Sequence, residues 1–110
     1  MIQYTTPTVT IRINDFELDV EHVTSSMLSL QPVDKALKAS RGEPMHFDSP
    51  TIRVEGGDTL ISVKLTQAQS AALPEGYVKA QANWLNSDGT RGANRPKYFS
   101  VEPNLYDREM

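Results

Sequence analysis

The sequence contains no cysteine, which excludes disulfide frameworks, thiolate nucleophiles and zinc–thiolate sites together. It also has no apolar run approaching the ~20 residues that a membrane-spanning helix needs. Its first residues show neither the basic nor the apolar region of a signal peptide. We therefore expect no membrane partner, no signal peptide, and a protein that stays in the compartment where it is made.

The sequence also has no excess of basic residues over acidic ones. Eleven Lys and Arg stand against fourteen Asp and Glu, so the formal net charge is −3. Proteins that bind nucleic acid usually show a basic patch or stripe that neutralises phosphates. The charge balance therefore argues against a nucleic-acid partner.

What remains suits one modest domain. The 110 residues, of which 38% are hydrophobic and 23% charged, fit sheets that each keep one face in water. We expect a single domain over residues 1–110, with residues 103–110 as a flexible tail.

Alternation of apolar and polar residues dominates the first half of the chain. Residues 8–13 (TVTIRI) predict a first strand with three β-branched side chains on one face. The following apolar residues alternate with Asp15, Glu17, Asp19 and Glu21, which fits either a return strand or an extended link. We favour the link, followed by a strand near residues 22–30. Residues 33–40 remain open between strand and short helix, and residues 41–50, with two prolines and a glycine, predict a loop.

The second half is clearer. Residues 51–54 and 59–65 flank a Gly-Gly-Asp turn and predict a hairpin. Thr66 and Gln69 have the spacing of a capping box, and Pro74 ends the short helix that follows. Residues 77–85 predict a long strand, and the turn after it leads into a return strand over residues 91–101 that Pro96 interrupts.

About seven short strands, with one helical turn before the penultimate strand, predict an all-β, antiparallel, immunoglobulin-like sandwich. A small barrel is the alternative. The expected core comprises Val9, Ile11, Ile13, Ile61, Val63, Leu65, Val78, Ala80, Ala82, Trp84, Phe99 and Val101.

Four segments carry a resemblance to a known family: residues 4–11 (YTTPTVTI), 61–67 (ISVKLTQ), 78–85 (VKAQANWL) and 88–93 (DGTRGA). They resemble small prophage proteins of Firmicutes that are related to the N-terminal immunoglobulin-like domain of phage baseplate upper proteins. The resemblance implies a virion structural protein of a tail, baseplate or fibre, made in the bacterial cytoplasm. Its implied partners are phage tail or baseplate proteins, with a homo-oligomer as a further option. The family has no catalytic residues to transfer.

Residues that carry chemistry are sparse. His46, Asp48 and Ser49 are the ingredients of nucleophilic catalysis, but alternation would separate Ser49 from the other two, and no nucleophile elbow accompanies them. His22 could form a metal site with nearby carboxylates and His46, but these residues do not have the sequence spacing typical of metal ligands. Gly56 and Gly57 lack the helix and lysine of a phosphate-binding loop. We therefore expect no enzyme, no catalytic or metal site and no cofactor.

Two features suggest contacts with other proteins. The acidic row Asp15, Glu17, Asp19 and Glu21 has the opposite charge to Arg91, Arg95 and Lys97 near the C terminus. Leu105 and Tyr106 are apolar side chains beyond the last strand. These nine residues are the predicted interface; the alternative is that the charged residues pair within the chain or are solvated. The alternative function is a carbohydrate-binding sandwich for host-surface glycans, built on an exposed aromatic ring beside Asn83 or Asn86; an exposed Trp84 would favour it.

Overall fold

The computed structural model describes residues 1–14, 20–34, 36 and 39–110. Within these ranges the chain forms eight strands, one short α-helix and a 3₁₀ turn at Val20–His22. The elements are β1 (Thr8–Asn14), β2 (Val23–Val33), β3 (Met45–Asp48), β4 (Thr51–Glu55), β5 (Asp58–Lys64), α1 (Gln67–Ala72), β6 (Gly76–Asn86), β7 (Arg91–Ala93) and β8 (Lys97–Val101).

The strands form two antiparallel sheets. One has the order β1-β5-β4, and the other has the order β3-β2-β6, with both β7 and β8 pairing on the far side of β6. These two orders correspond to strands B-E-D and C′-C-F-G of an immunoglobulin-type sandwich. The predicted all-β sandwich is confirmed, and α1 precedes β6 as expected.

Several local predictions differ from the structure. Residues 45–48 form β3 instead of a loop, because Met45 and Phe47 alternate with polar residues and turn towards the core between two prolines. Val20 lies in a 3₁₀ turn instead of an extended link. Residues 31–33 extend β2, and Val33 forms an isolated bridge with Ser40.

The predicted return strand over residues 91–101 is two strands. With β3 added and no separate strand over residues 33–40, the described residues contain eight strands, against about seven predicted. The break falls at Asn94, Arg95 and Pro96. Asn94 is buried, and its side-chain Oδ1 accepts a hydrogen bond of 2.7 Å from the backbone N–H of Ala82 in β6. An asparagine side chain thus replaces a backbone acceptor where the sheet ladder is interrupted, so the N–H of a central strand stays paired.

The core lies between the two sheets. Nine of the twelve predicted core residues are fully buried, and Val9, Val63 and Phe99 are half-buried against the same cluster. The prediction omitted Leu28, Leu30 and Leu73, which are also fully buried. Leu28 and Leu30 lie on β2 opposite Ala82 and Ala80 of β6, so large side chains pack over small ones.

The capping box is present as predicted. The Thr66 hydroxyl accepts from the backbone N–H of Gln69, and the Gln69 side chain accepts from the N–H of Thr66. Both bonds satisfy amide groups that a helix start leaves unpaired. The helix is fixed to the N-terminal segment by Ser70, whose buried hydroxyl donates to the carbonyl of Thr5.

The two ends of the chain pair with each other. Ile2 and Glu102 form a parallel bridge, in which Gln3 N–H donates to the Glu102 carbonyl and Glu102 N–H donates to the Met1 carbonyl. The N-terminal segment therefore continues the edge that β8 would otherwise leave open.

Candidate functional site

The outer face of the larger sheet carries a shallow depression of about 570 Å³. Because Leu28, Leu30, Ala80 and Ala82 turn inward, their neighbours on β2 and β6 turn outward. The lining combines polar groups from four strands, chiefly Ser25, Ser29, His46, Asp48, Asn83 and Arg91. It thus brings several hydrogen-bonding side chains together on one face.

Ser29 and His46 form a pair across β2 and β3. The serine Oγ lies 2.7 Å from the histidine Nδ1, and the two residues are in register. Asp48 lies two positions further along β3, on the same face as His46, as the sequence predicted. Ser49 follows the strand with a positive φ of 50°. His46 and Asp48 are both exposed, so the Ser29–His46 pair has the character of a cross-strand surface contact.

Ser29 was not among the predicted site residues. It is separated from His46 by 17 positions in the sequence, and only the register of β2 with β3 brings them together. Because residues 41–50 were predicted to form a loop, no strand pairing was assigned to His46. Recognising the alternation at residues 45–48 would have given the only usable signal.

Arg91, Arg95 and Lys97 all lie on the exposed edge formed by β7, β8 and the segment between them. Arg91 donates a hydrogen bond of 3.1 Å to Asn83 Oδ1. Arg91 is opposite Leu85 and Lys97 is opposite Ala80, so the two cations are roughly 17 Å apart along β6 at a rise of ~3.3 Å per residue. Because opposite residues of an antiparallel pair share a face, Arg91 projects from the outer face with Leu85, and Lys97 projects from the face of Ala80. The cations therefore follow one edge without forming a compact patch.

Of the acidic row, Glu21 is described and exposed in the 3₁₀ turn before β2. Asp15, Glu17 and Asp19 lie outside the described residues. The start of β2 pairs with the end of β6, so Glu21 and Arg91 are at the same end of the larger sheet. The two opposite charges can therefore attract each other within the chain, as well as contact a partner.

The turn between β6 and β7 contains an unusually well-bonded carboxylate. The Thr90 hydroxyl and then the Thr90 backbone N–H donate to Asp88 Oδ1, at 2.6 and 2.9 Å. These bonds favour the charged form and lower the pKa of Asp88 from its ordinary value. The carboxylate orders the turn.

No group of three or more His, Asp or Glu side chains that could hold a metal ion occurs within residues 1–14, 20–34, 36 and 39–110. The expectation that neither His22 nor His46 binds a metal tightly stays a prediction. Elemental analysis of the purified protein after chelator treatment would test it.

Trp84 is 3% exposed and belongs to the core. Its indole ring lies against Gly92 of β7, so closely that a Cβ at Gly92 would overlap the ring. The expected inward direction of Trp84 is confirmed, and its ring offers no platform to a ligand. Among the described aromatic side chains, Tyr98 and Tyr106 are the large exposed ones.

The C-terminal segment after β8 runs back across the molecule. Asn104 donates to the carbonyl of Gln3 at 3.1 Å, and Gln67 of α1 both donates to and accepts from the backbone of Met110. Leu105 and Met110 are fully exposed, and Tyr106 is 58% exposed. Polar contacts hold this segment, while its apolar side chains face solvent.

No helix in the described part of the chain is long and apolar enough to cross a membrane. In comparisons with known proteins, no family model matches the sequence, and no curated protein is significantly similar to it.

Proposed function

We propose that this chain is a non-enzymatic structural or assembly module of a prophage tail, baseplate or fibre. The proposal joins the family resemblance of the sequence to the β-sandwich fold. One observation carries the assembly role: the segment over residues 103–110 presents Leu105, Tyr106 and Met110 to solvent while hydrogen bonds at Asn104 and Met110 hold its backbone.

This arrangement favours docking for an energetic reason. Burial of apolar side chains contributes roughly 25 cal/mol per Å² removed from water, and a segment already held in place loses less conformational entropy on binding. The partners we propose are neighbouring tail or baseplate proteins. The protein would then be made in the bacterial cytoplasm and incorporated into the virion.

Proteomics of purified particles tests the phage role. After prophage induction in the strain that encodes the chain, we expect the protein in intact particles together with the major tail proteins. An abundant cytosolic enzyme serves as the control for contamination. Absence of the chain from particles in which the other tail proteins are detected would refute the proposal.

A second experiment tests the docking segment. The double variant L105S/Y106S should lose incorporation into particles, because it removes apolar surface without altering the bonds of Asn104. The matched control R108S/E109S changes the same segment but keeps both apolar side chains, and should be incorporated normally. Equal incorporation of both variants would assign docking to another surface.

The carbohydrate-binding alternative now depends on Tyr98. This ring is 41% exposed on the outer face of the larger sheet, opposite Lys79 and on the same face as the depression. Burial of Trp84 removes the ring that the alternative would most readily use. Titration with cell-wall polysaccharide, comparing the wild type with Tyr98→Ala, separates the two functions: saturable binding that the substitution abolishes would favour glycan recognition.

A further inference from the structure

The outer edge of β4 pairs with no other strand within the part of the chain that the structure describes. β4 is the terminal strand of the smaller sheet and pairs with β5. Four of its five residues are exposed, including Val54 at 60%. An edge strand with an exposed apolar side chain is a template for pairing with another strand.

The hairpin register shows which backbone groups are available. β4 and β5 are joined by the two-residue turn Gly56-Gly57, whose φ angles of 59° and 84° are those of a type I′ turn. In such a hairpin the residues that flank the turn, Glu55 and Asp58, form a hydrogen-bonded pair. Arg53 and Thr51 therefore also bond to β5. The N–H and C=O groups of Ile52 and Val54 consequently point away from the sheet.

We propose that a second copy of this chain pairs with β4 in antiparallel orientation. The twofold axis passes between the two Val54 residues, which lie opposite each other. Twofold pairing through the outward groups allows three registers, centred on Ile52, Arg53 or Val54. Centring on Ile52 places Val54 opposite Pro50, which has no N–H to donate. Centring on Arg53 places two arginines directly opposite each other, which is destabilising.

Centring on Val54 places each Arg53 opposite Glu55 of the other copy. Within one chain these two side chains already form an ion pair of 3.3 Å, and both are more than half exposed. Pairing would produce an alternating group of four charges above the joined strands. It would also cover both Val54 side chains and convert two three-stranded sheets into one six-stranded sheet. Charge complementarity therefore selects a second copy as the occupant.

The contact is short, so we expect a weak dimer. Five residues per strand bury much less than the ~1,600 Å² of a standard interface. Such a contact becomes effective when other tail proteins hold copies close together. In that sense the inference deepens the proposed assembly role, although the dimer itself can be measured without any phage component.

Sedimentation velocity at protein concentrations up to the millimolar range and at low salt tests the pairing. The wild type should show a concentration-dependent dimer. Val54→Pro should remain monomeric, because it removes an outward N–H without breaking a bond to β5. Val54→Thr keeps that N–H and is the matched control, which should dimerise within about threefold of the wild type. Circular dichroism confirms that each variant is folded.

Charge exchange tests the register. R53E and E55R should each weaken the dimer by about tenfold, since each replaces two opposite-charge pairs across the joined strands with two like-charge pairs. The double variant R53E/E55R should restore it, and an equimolar mixture of the two single variants should form mixed dimers. If Arg53 were opposite Arg53 of the other copy instead, R53E would only exchange two facing arginines for two facing carboxylates, and E55R would change no facing charge pair. Neither single variant would then weaken the dimer.

A wild type that is monomeric at millimolar concentration would overturn the inference, as would a dimer that survives Val54→Pro. Either result would leave the proposed phage role intact, since particle proteomics measures that role separately. Conversely, a dimer with the predicted variant behaviour would stand even if the chain were absent from particles.

Discussion

Replacing Asn94 by alanine should lower the free energy of unfolding more than a substitution at the edge of a sheet usually does. Asn94 is 3% exposed, and Ala82, whose N–H it accepts, is fully buried. Its Nδ2 also donates to the carbonyl of Arg95 at 2.7 Å. Alanine would leave the Ala82 N–H buried without an acceptor, which costs roughly 1–3 kcal/mol. The Arg95 carbonyl loses a donor but belongs to an exposed residue and can bind water.

We therefore expect Asn94→Ala to lower the free energy of unfolding by about 2–3 kcal/mol. Urea denaturation followed by tryptophan fluorescence measures this directly, because Trp84 lies on β6, the strand that contains Ala82. The slope of unfolding free energy against urea should not change, since the surface exposed on unfolding is the same.

Asn83→Ala is the matched control. Asn83 is the adjacent residue of β6 on the outer face, where its side chain accepts from the exposed Arg91. Because water can replace that bond, the loss should stay below about 1 kcal/mol. If the two substitutions cost the same, Asn94 does not support the interrupted ladder and our account of the β7–β8 break is wrong.

Three further results follow from the core and the turn. Trp84→Ala should cost roughly 3–5 kcal/mol in urea denaturation, because the small residues around the ring cannot fill an indole-sized cavity; a loss below about 1 kcal/mol would contradict burial. Gly92→Ala should cost about 1–3 kcal/mol, because the new Cβ meets the indole, and the cost should shrink in a Trp84→Phe background; an unchanged cost would place the conflict elsewhere. Asp88 has a folded-state pKa below its ordinary 3.8, so its contribution to stability is complete above that value and is lost as the pH falls through the folded-state pKa. Asp88→Asn should therefore make the decline in urea midpoint below about pH 4 less steep, and an identical decline would show that the bonds from Thr90 do not stabilise the fold.

Local sequence patterns were sufficient for the regular parts of the fold. Alternating residues located β1 and β6, two adjacent glycines located the β4–β5 turn, and Thr66 with Gln69 located the start of α1. Each of these signals comes from residues close together in the sequence. Their physical causes, side-chain burial on one face and satisfaction of backbone groups, act over a few positions.

Features that depend on the exact register between strands could not be predicted. Ser29 meets His46, and Trp84 meets Gly92, only because particular strands pair in a particular alignment. Asn94 looked like an ordinary residue before a proline-containing turn, whereas the structure uses its side chain as a replacement acceptor. The predicted interface met the same limit, because the spacing of Arg91 and Lys97 along the edge emerged only from their pairing with β6.

The pairing of the chain ends has a mechanical consequence. Residues 1–3 and 100–102 run in the same direction, and backbone bonds between Met1, Gln3 and Glu102 join them. Tension applied to the two termini would slide these segments past each other and load the bonds together, along the strand direction. Strands pulled apart sideways would instead lose their bonds one at a time. The sandwich should therefore resist stretching through its termini more strongly than pulling through the β4–β5 turn.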